Sequence, residues 1–485
     1  MFKQHTTNCI IIFFVIILAW NRILGQTFLG EGNYYFFHRF LENGILFGYD
    51  LGARLLFDVL TPIFRDNYFL YQLFALTSFS FIAVLFYFFV NEFTKRKDIA
   101  FVATILFGVN YTTSFEMLAT GAYQNFSQRI FFLIPLLLSF TFFYKSKDGK
   151  SKYYLPSLLL CSLSLLLAQY NIFLLAFLVA YTMASILIKS KRNKRIIQEL
   201  FWILPFILVG VFIVYLPVFL GGSNFISGTN FFYYTISQYQ QVIFHSFRQL
   251  VFLTVPEGLL NIFVGISDPL YKQGMQHLFI PIFFIYAVTG IFLYKKDKAL
   301  RVPIITCLLF LPAVFVLNMF TRSDNVDHLG SGSRYLLVPS IGFAIFWAIF
   351  FAYIAKKFNK NTLYVFIIIW VLFQVNTINS KISKEEYNYI AIKKITAYLK
   401  NISSTLSRDS IVIVPNVLGE YGAGVSNMYY GKEKTLFLPF YDKIDWLDQY
   451  GRPFDPNKDI ILTYNSEKQS IVDRTKDYKS IIVHK

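Results

Sequence analysis

Between residues 25 and 67, eight charged side chains stand among apolar and aromatic neighbours: Glu31, Arg39, Glu42, Asp50, Arg54, Asp58, Arg65 and Asp66. Glu31 lies in F-L-G-E-G-N-Y-Y-F-F-H-R-F-L-E-N-G, a few residues after an apolar run ends. A carboxylate at a membrane surface can take a proton from a hydroxyl or amide, or hold a divalent metal ion. A lone loop carboxylate is more often simply solvated, so Glu31 needs partners. Arginines supply complementary chemistry, because a guanidinium grips phosphate as a bidentate fork and keeps its charge near lipid. Arg129 and Arg334 precede apolar runs and Arg322 is nearby. For any one of them, snorkelling to lipid headgroups is the plainer role. The stretch R-S-D-N-V-D-H-L-G-S-G-S-R, Arg322 to Arg334, is more polar than snorkelling requires, and Asp324, Asp327 and His328 could add ligands for a metal or substrate.

The elements that must position these groups are apolar. Of 485 residues 55% are hydrophobic and only 15% charged, with a mean hydropathy of +0.50. A soluble surface needs about 25% charged residues, so three soluble domains are excluded. Apolar blocks fall near 9–24, 68–90, 99–114, 130–144, 153–168, 171–188, 200–219, 277–294, 302–319, 335–354 and 362–377. A bilayer core takes about 20 apolar residues per helix. The expected fold is an all-α polytopic membrane protein of about eleven transmembrane helices, residues 1–377, followed by a small α/β domain, 378–485. Gln169, Tyr170 and Asn171 barely separate two blocks and predict a tight hairpin. The run Cys9 to Trp20 could be a signal-peptide core, but no A-x-A site follows and it reads as a retained helix.

Basic residues give the orientation, since short cytoplasmic loops keep Lys and Arg. Alternate loops, with Lys3, have 20 basic residues in about 48; the opposite loops have 9 in about 138. The N-terminus is therefore expected in the cytoplasm and the C-terminal domain outside it, at the plasma membrane in a prokaryote. The net charge of +17 is explained by topology and implies no nucleic-acid partner. The long outer loops, 25–67, 220–276 and 320–334, with the shorter 115–129, place the working face outside.

In the C-terminal segment, Lys381 to Leu406 reads as an amphipathic helix with Ile395, Tyr398, Leu399, Ile402 and Leu406 on one stripe. Ser410–Val414, Thr435–Leu438, Asp459–Thr463 and Ser480–His484 read as short strands. The G-E-Y-G-A-G stretch from Gly419 lacks the G-x-G-x-x-G spacing and reads as a surface loop. Cys9, Cys161 and Cys307 lie inside apolar blocks and read as packing residues.

Three stretches resemble one family. S-R-Y-L-L-V-P-S-I-G-F, Ser333 to Phe343, resembles the R-Y-L-Y-x-P-S-x-G-F element of the cadherin-targeting transmembrane O-mannosyltransferases and their bacterial relatives, in the GT-C superfamily. F-G-V-N-Y-T-T-S-F-E, Phe107 to Glu116, is similar to their F-x-x-H-P-x-x-x-E element, with Asn110-Tyr111 in place of His-Pro. G-E-G-N-Y-Y-F-F-H-R, Gly30 to Arg39, resembles the D-E-x-x-Y-x-x-x-x-R pattern after the first span of lipid-linked sugar transferases. Gly30-Glu31 keeps one carboxylate of the family's acidic pair, and Asp50, in a Y-D-L-G-A-R element loosely similar to Y-R-P, is a substitute.

The resemblance implies transfer of a sugar, with inversion, from a polyprenyl-phosphate donor to a protein, lipid or glycan acceptor on the extracytoplasmic face. Glu31 or Asp50 is the implied catalytic base. Arg334 and Arg129 are the implied ligands of the departing phosphate, and Arg39, Arg54 and Glu116 complete the substrate-binding set. The polyprenyl tail is expected in an apolar groove between helices, within membrane lipid. A lipid-linked polysaccharide polymerase or ligase is a rival, using loop 220–276 with His245 and Arg248. A transporter would want repeated halves and charge at span centres, where almost none lies. A non-catalytic scaffold is the reading that the missing acidic partner leaves.

Overall fold

The computed structural model describes residues 2–26, 51–64, 67–111, 130–189, 193–219, 250, 253–254, 276–320, 333–402, 406, 410–414, 435–439, 444–445, 451–465 and 467–483. Twelve α-helices lie among the described residues: α1 Phe2–Trp20, α2 Leu51–Phe64, α3 Tyr68–Thr94, α4 Lys97–Gly108, α5 Leu133–Lys147, α6 Tyr154–Leu167, α7 Ile172–Lys189, α8 Asn193–Phe219, α9 Gln276–Lys296, α10 Arg301–Phe320, α11 Ser333–Lys357 and α12 Lys360–Ile402. In hydrocarbon every backbone N–H and C=O must be paired within the segment, which a helix alone achieves for an apolar run. Each apolar block of the sequence has a helix. Among the described residues, six segments are long and apolar enough to cross a membrane: His5–Gly25, Tyr68–Thr94, Gln169–Ile188, Ile196–Leu216, Lys298–Phe315 and Leu336–Lys357. The chain is on this basis an integral membrane protein. At 12, 15 and 14 residues, α4, α5 and α6 reach only about 18–23 Å at 1.5 Å per residue, short of a core of about 30 Å.

The phenylalanines fill the middle of the bundle. Phe86 and Phe107 stack at 4.6 Å between α3 and α4, Phe89 meets Phe177 of α7 at 5.5 Å, and Phe177 meets Phe310 of α10 at 5.1 Å. Lipid and side chain are equally apolar, so helix association rests on such packing and on small polar contacts. Ser139 of α5 and Ser157 of α6 exchange hydroxyl-to-carbonyl bonds of 2.7 Å each. α1 belongs to this bundle: Ile12, Ile16 and Trp20 are fully buried, and His5 and Asn8 bond Tyr87 Oη of α3 at 2.9 and 3.2 Å.

One end of the bundle is joined by ion pairs between short connections. Lys95, after α3, bridges Glu92 at 3.0 Å and also Asp148, after α5. Burial pulls the Lys95 ammonium down, but its hydrogen bonds to Asp148 and Glu92 outweigh that and hold its pKa above the ordinary lysine value. Lys147 pairs with Glu199 of α8, and Arg96 lies 3.9 Å from Asp297, after α9. The lysine-rich loops of the sequence therefore share one end.

The segment 25–67, expected as a loop, contains α2. Leu55, Val59 and Ile63, four residues apart, are 49%, 61% and 65% exposed, while Gly52 and Leu60 are buried. An exposed apolar stripe of that spacing suits a helix lying in the membrane interface. Arg54 and Asp58 broke the apolar run and concealed this helix.

The last apolar block and the amphipathic segment form one helix of 43 residues, not two elements. Lys360–Ile402 contains no Gly or Pro to stop it. Beyond it, β1 Ser410–Val414, β2 Thr435–Pro439, β4 Ile460–Asn465 and β5 Ser470–Asp473 form a sheet in the order β2-β1-β4-β5. β1 is parallel to β2 and β4, β5 is antiparallel to β4, and β3 Ile444–Asp445 pairs with β6 Ile482–Val483. Ile395 and Leu399 of α12 pack on Val412 and Leu462, with Tyr398, Ile402 and Leu406 beside them, which is the stripe expected from the sequence. Ile413, Ile461 and Phe454 cover the other face, as a mainly parallel sheet requires. Asp459, fully buried, accepts hydrogen bonds from Arg452, from Ile411 N at 3.0 Å and from Asp455 N at 2.8 Å.

Candidate functional site

The end opposite the ion pairs is held, among the described residues, by hydrogen bonds to backbone. α3 and α11 start at this end; α1 and α4 finish there. Trp20 Nε1 donates to Gly108 O at 2.9 Å, joining the end of α1 to the end of α4. The approach is close: a Cβ on Gly108 would lie 2.5 Å from Ile16 Cδ1. Tyr111 N donates to Gln374 Oε1 of α12 at 3.1 Å, and Lys393 Nζ donates to Gly25 O at 2.8 Å. Gln26, only 3% exposed, leaves both polar side-chain atoms without a hydrogen-bond partner. This corner is where two of the family-like stretches depart. Glu31 follows Gln26 by five residues, and Glu116 follows Tyr111 by five.

A second corner forms where α2 meets the turn between α6 and α7. A Cβ on Gly52 would lie 2.3 Å from Leu167 O and 2.4 Å from Phe132 Cε2, so only glycine permits the contact. Ser164 Oγ donates to Phe132 O at 2.7 Å, and Asn171 Nδ2 donates to Phe132 O at 3.1 Å and Ser164 Oγ at 2.9 Å. The expected tight turn is a short 3-10 helix, Gln169–Asn171. Asp50 and Arg54 flank Gly52 by two residues each, and Arg129 directly precedes Ile130, which is fully buried.

Glu31, Arg39, Asp50, Glu116 and Arg129 lie outside the described residues, as do Arg322, Asp324, Asp327, His328, His245, Arg248 and the Gly419–Gly424 stretch. Arg54 stands in the first turn of α2 and Arg334 in the first turn of α11. Among the described residues, no three His, Cys, Asp or Glu side chains converge as metal ligands would. The residues missed in the sequence are Gln26 and Gln374. Their signal was available, because a polar side chain within or at the end of an apolar run is expensive unless it has work to do.

An apolar groove of about 390 Å³ opens between α7, α8 and α10. Ile172, Leu175, Val179, Val211 and Leu317 line it. Gly210 makes room there, since a Cβ would lie 2.6 Å from Leu175 Cδ1. Ile172 directly follows the Asn171 network and Leu317 is near the end of α10, so the groove starts at the same end of the bundle as both corners. Its walls offer an alkyl or isoprenoid chain dispersion contacts and almost no polar atoms.

No protein-family model matches the sequence, and comparison with curated proteins returns no match.

Proposed function

We propose that this chain is a polytopic membrane glycosyltransferase of the GT-C type that moves a sugar from a polyprenyl-phosphate donor to an acceptor. In this reading eleven helices cross the membrane, the N-terminus and the lysine-rich end face the cytoplasm, and the α/β domain stands outside. The observation that carries it is the common departure point of the Glu31 and Glu116 stretches, from a corner pinned by Trp20, Tyr111 and Gln374. Arg334 opens α11 at the same end. The apolar groove beginning there suits the donor's tail.

Glu31 is the proposed base on the acceptor hydroxyl, with Asp50 as the substitute for the family's second carboxylate. A positioned base contributes about 10²–10⁴-fold. Arg334 and Arg129 meet the phosphate as its negative charge develops on departure, where fixed cations act most strongly. Arg39, Arg54 and Glu116 orient the sugar and phosphate. The acceptor-directed role falls to the α/β domain.

The test is a panel of radiolabelled polyprenyl-phosphate sugars given to purified protein, with acceptor membranes from cells lacking the chain. Label should leave the solvent-extractable donor for at least one sugar. A panel with no consumption by well-folded protein contradicts the reading.

A further inference from the structure

The ion-paired end contains a feature that the transfer reaction does not use. A cavity of about 630 Å³ opens there between the ends of α9 and α11 and the start of α4. Its lining has Arg96, Lys295, Lys296, Lys298, Lys356 and Lys357, against the single carboxylate of Asp297. Some cations elsewhere at this end are neutralised: Lys95 by Glu92 and Asp148, Lys147 by Glu199. Arg96 is itself engaged by Asp98 and approaches Asp297. Lys295, Lys296, Lys298 and Lys356 have no carboxylate within ion-pair reach among the described residues. Positive-inside topology places lysines in such loops, but does not require two separate connections to bring unpaired lysines to one cavity.

An exposed apolar stripe of α9 leads toward the cavity. Phe284, Val288 and Ile291 of α9 are 60%, 62% and 56% exposed, and their spacing of four and three residues puts them on one stripe. Four residues further along that stripe is Lys295. Tyr353, which lines the cavity, meets Phe292 edge to face at 5.3 Å. An acyl chain lying on the stripe would therefore have its headgroup at the lysines.

We propose that this basin is a binding site for an anionic phospholipid, with the phosphate among Lys295, Lys298 and Lys356 and one acyl chain along the exposed stripe of α9. Lysines near a membrane surface each strengthen attachment to an anionic lipid roughly fivefold. The site is independent of sugar transfer.

The experiment titrates delipidated full-length protein with phosphatidylglycerol, phosphatidylcholine or inorganic phosphate, and reads bound lipid by native mass spectrometry. Phosphatidylglycerol should bind at least tenfold tighter than phosphatidylcholine, and inorganic phosphate at equal concentration should not displace it. Combining Lys295→Gln, Lys298→Gln and Lys356→Gln should weaken phosphatidylglycerol about 100-fold. The three Lys→Arg changes, which keep the charge, should stay within threefold of wild type. Lys150→Gln with Lys152→Gln, on another loop at the same end, should also leave binding within threefold. Equal binding of the two lipids would overturn the proposal. So would displacement by inorganic phosphate, full binding by the glutamine triple, loss in the arginine triple, or equal loss in the Lys150 and Lys152 variant.

Discussion

The two ends of the bundle are held by different forces. At the lysine-rich end the connections are short, and Lys95–Asp148, Lys147–Glu199 and Arg96–Asp297 tie one to the next. Exposed ion pairs such as Lys95–Asp148 contribute only about 0–1 kcal/mol each. At the other end, residues 27–50, 112–129, 220–249 and 321–332 separate the described helices. There three ties are buried, neutral and directed at backbone: Trp20 to Gly108, Gln374 to Tyr111, Asn171 to Phe132. Such a bond nets about 0.5–1.5 kcal/mol, but losing one partner costs about 1–3 kcal/mol because the other is left dry and unpaired. The end with the long segments has the buried hydrogen-bonded rim. A rim of that kind is what a site assembled from long loops needs beneath it.

Substitutions at the two ends should separate this division of labour. The largest effect is expected from Glu31→Gln, which keeps the size and removes the proposed base. Sugar transfer should fall at least 100-fold, with expression unchanged, in a single-turnover assay. Near-normal transfer would move the role to Asp50. Next is Arg334. Arg334→Ala should lose about 1.5–3 kcal/mol of transition-state stabilisation, roughly 10- to 150-fold in rate at subsaturating donor. Arg334→Lys should also be impaired, because an ammonium lacks the planar fork. A snorkelling arginine would be replaced by lysine without loss.

The remaining substitutions test the rim and the opposite end. Gln374→Leu removes the buried hydrogen bond from Tyr111 N and should destabilise the protein by about 0.5–1.5 kcal/mol, read as a lower thermal midpoint in detergent. Asp148→Asn removes an exposed partner of Lys95 and should cost about 0–1 kcal/mol, with transfer within twofold of wild type. Equal losses of transfer from Asp148→Asn and Gln374→Leu would abolish the distinction between the ends.

The apolar blocks were legible because a membrane helix needs only length and hydropathy, both written locally. The stripe from Ile395 to Leu406 was legible for a similar reason, since its period is helical and its partner sheet lies close in sequence. Other elements were concealed by changes of composition. Charged residues from Lys381 onward suggested a boundary, although nothing in 360–402 could break a helix. β5 was missed because Ser470–Asp473 is a four-residue edge strand with no fully buried side chain. At the candidate site, motif spacing pointed to Glu31, Glu116 and Arg334, while Gln374 was passed over within a span. Its partner is 263 residues away, and no local pattern reveals a pairing of that range.

The central claim is that the lysine-rich end and the candidate site lie on opposite sides of one membrane, with the α/β domain on the side of the site. Membrane-impermeant thiol labelling of sealed cells tests it directly. Cys9, Cys161 and Cys307 are first replaced by alanine, and Lys357→Cys or Asn457→Cys is introduced singly; both positions are exposed. Position 457 should label in intact cells, and position 357 only after the membrane is permeabilised. Labelling of both positions from the same side would contradict the account.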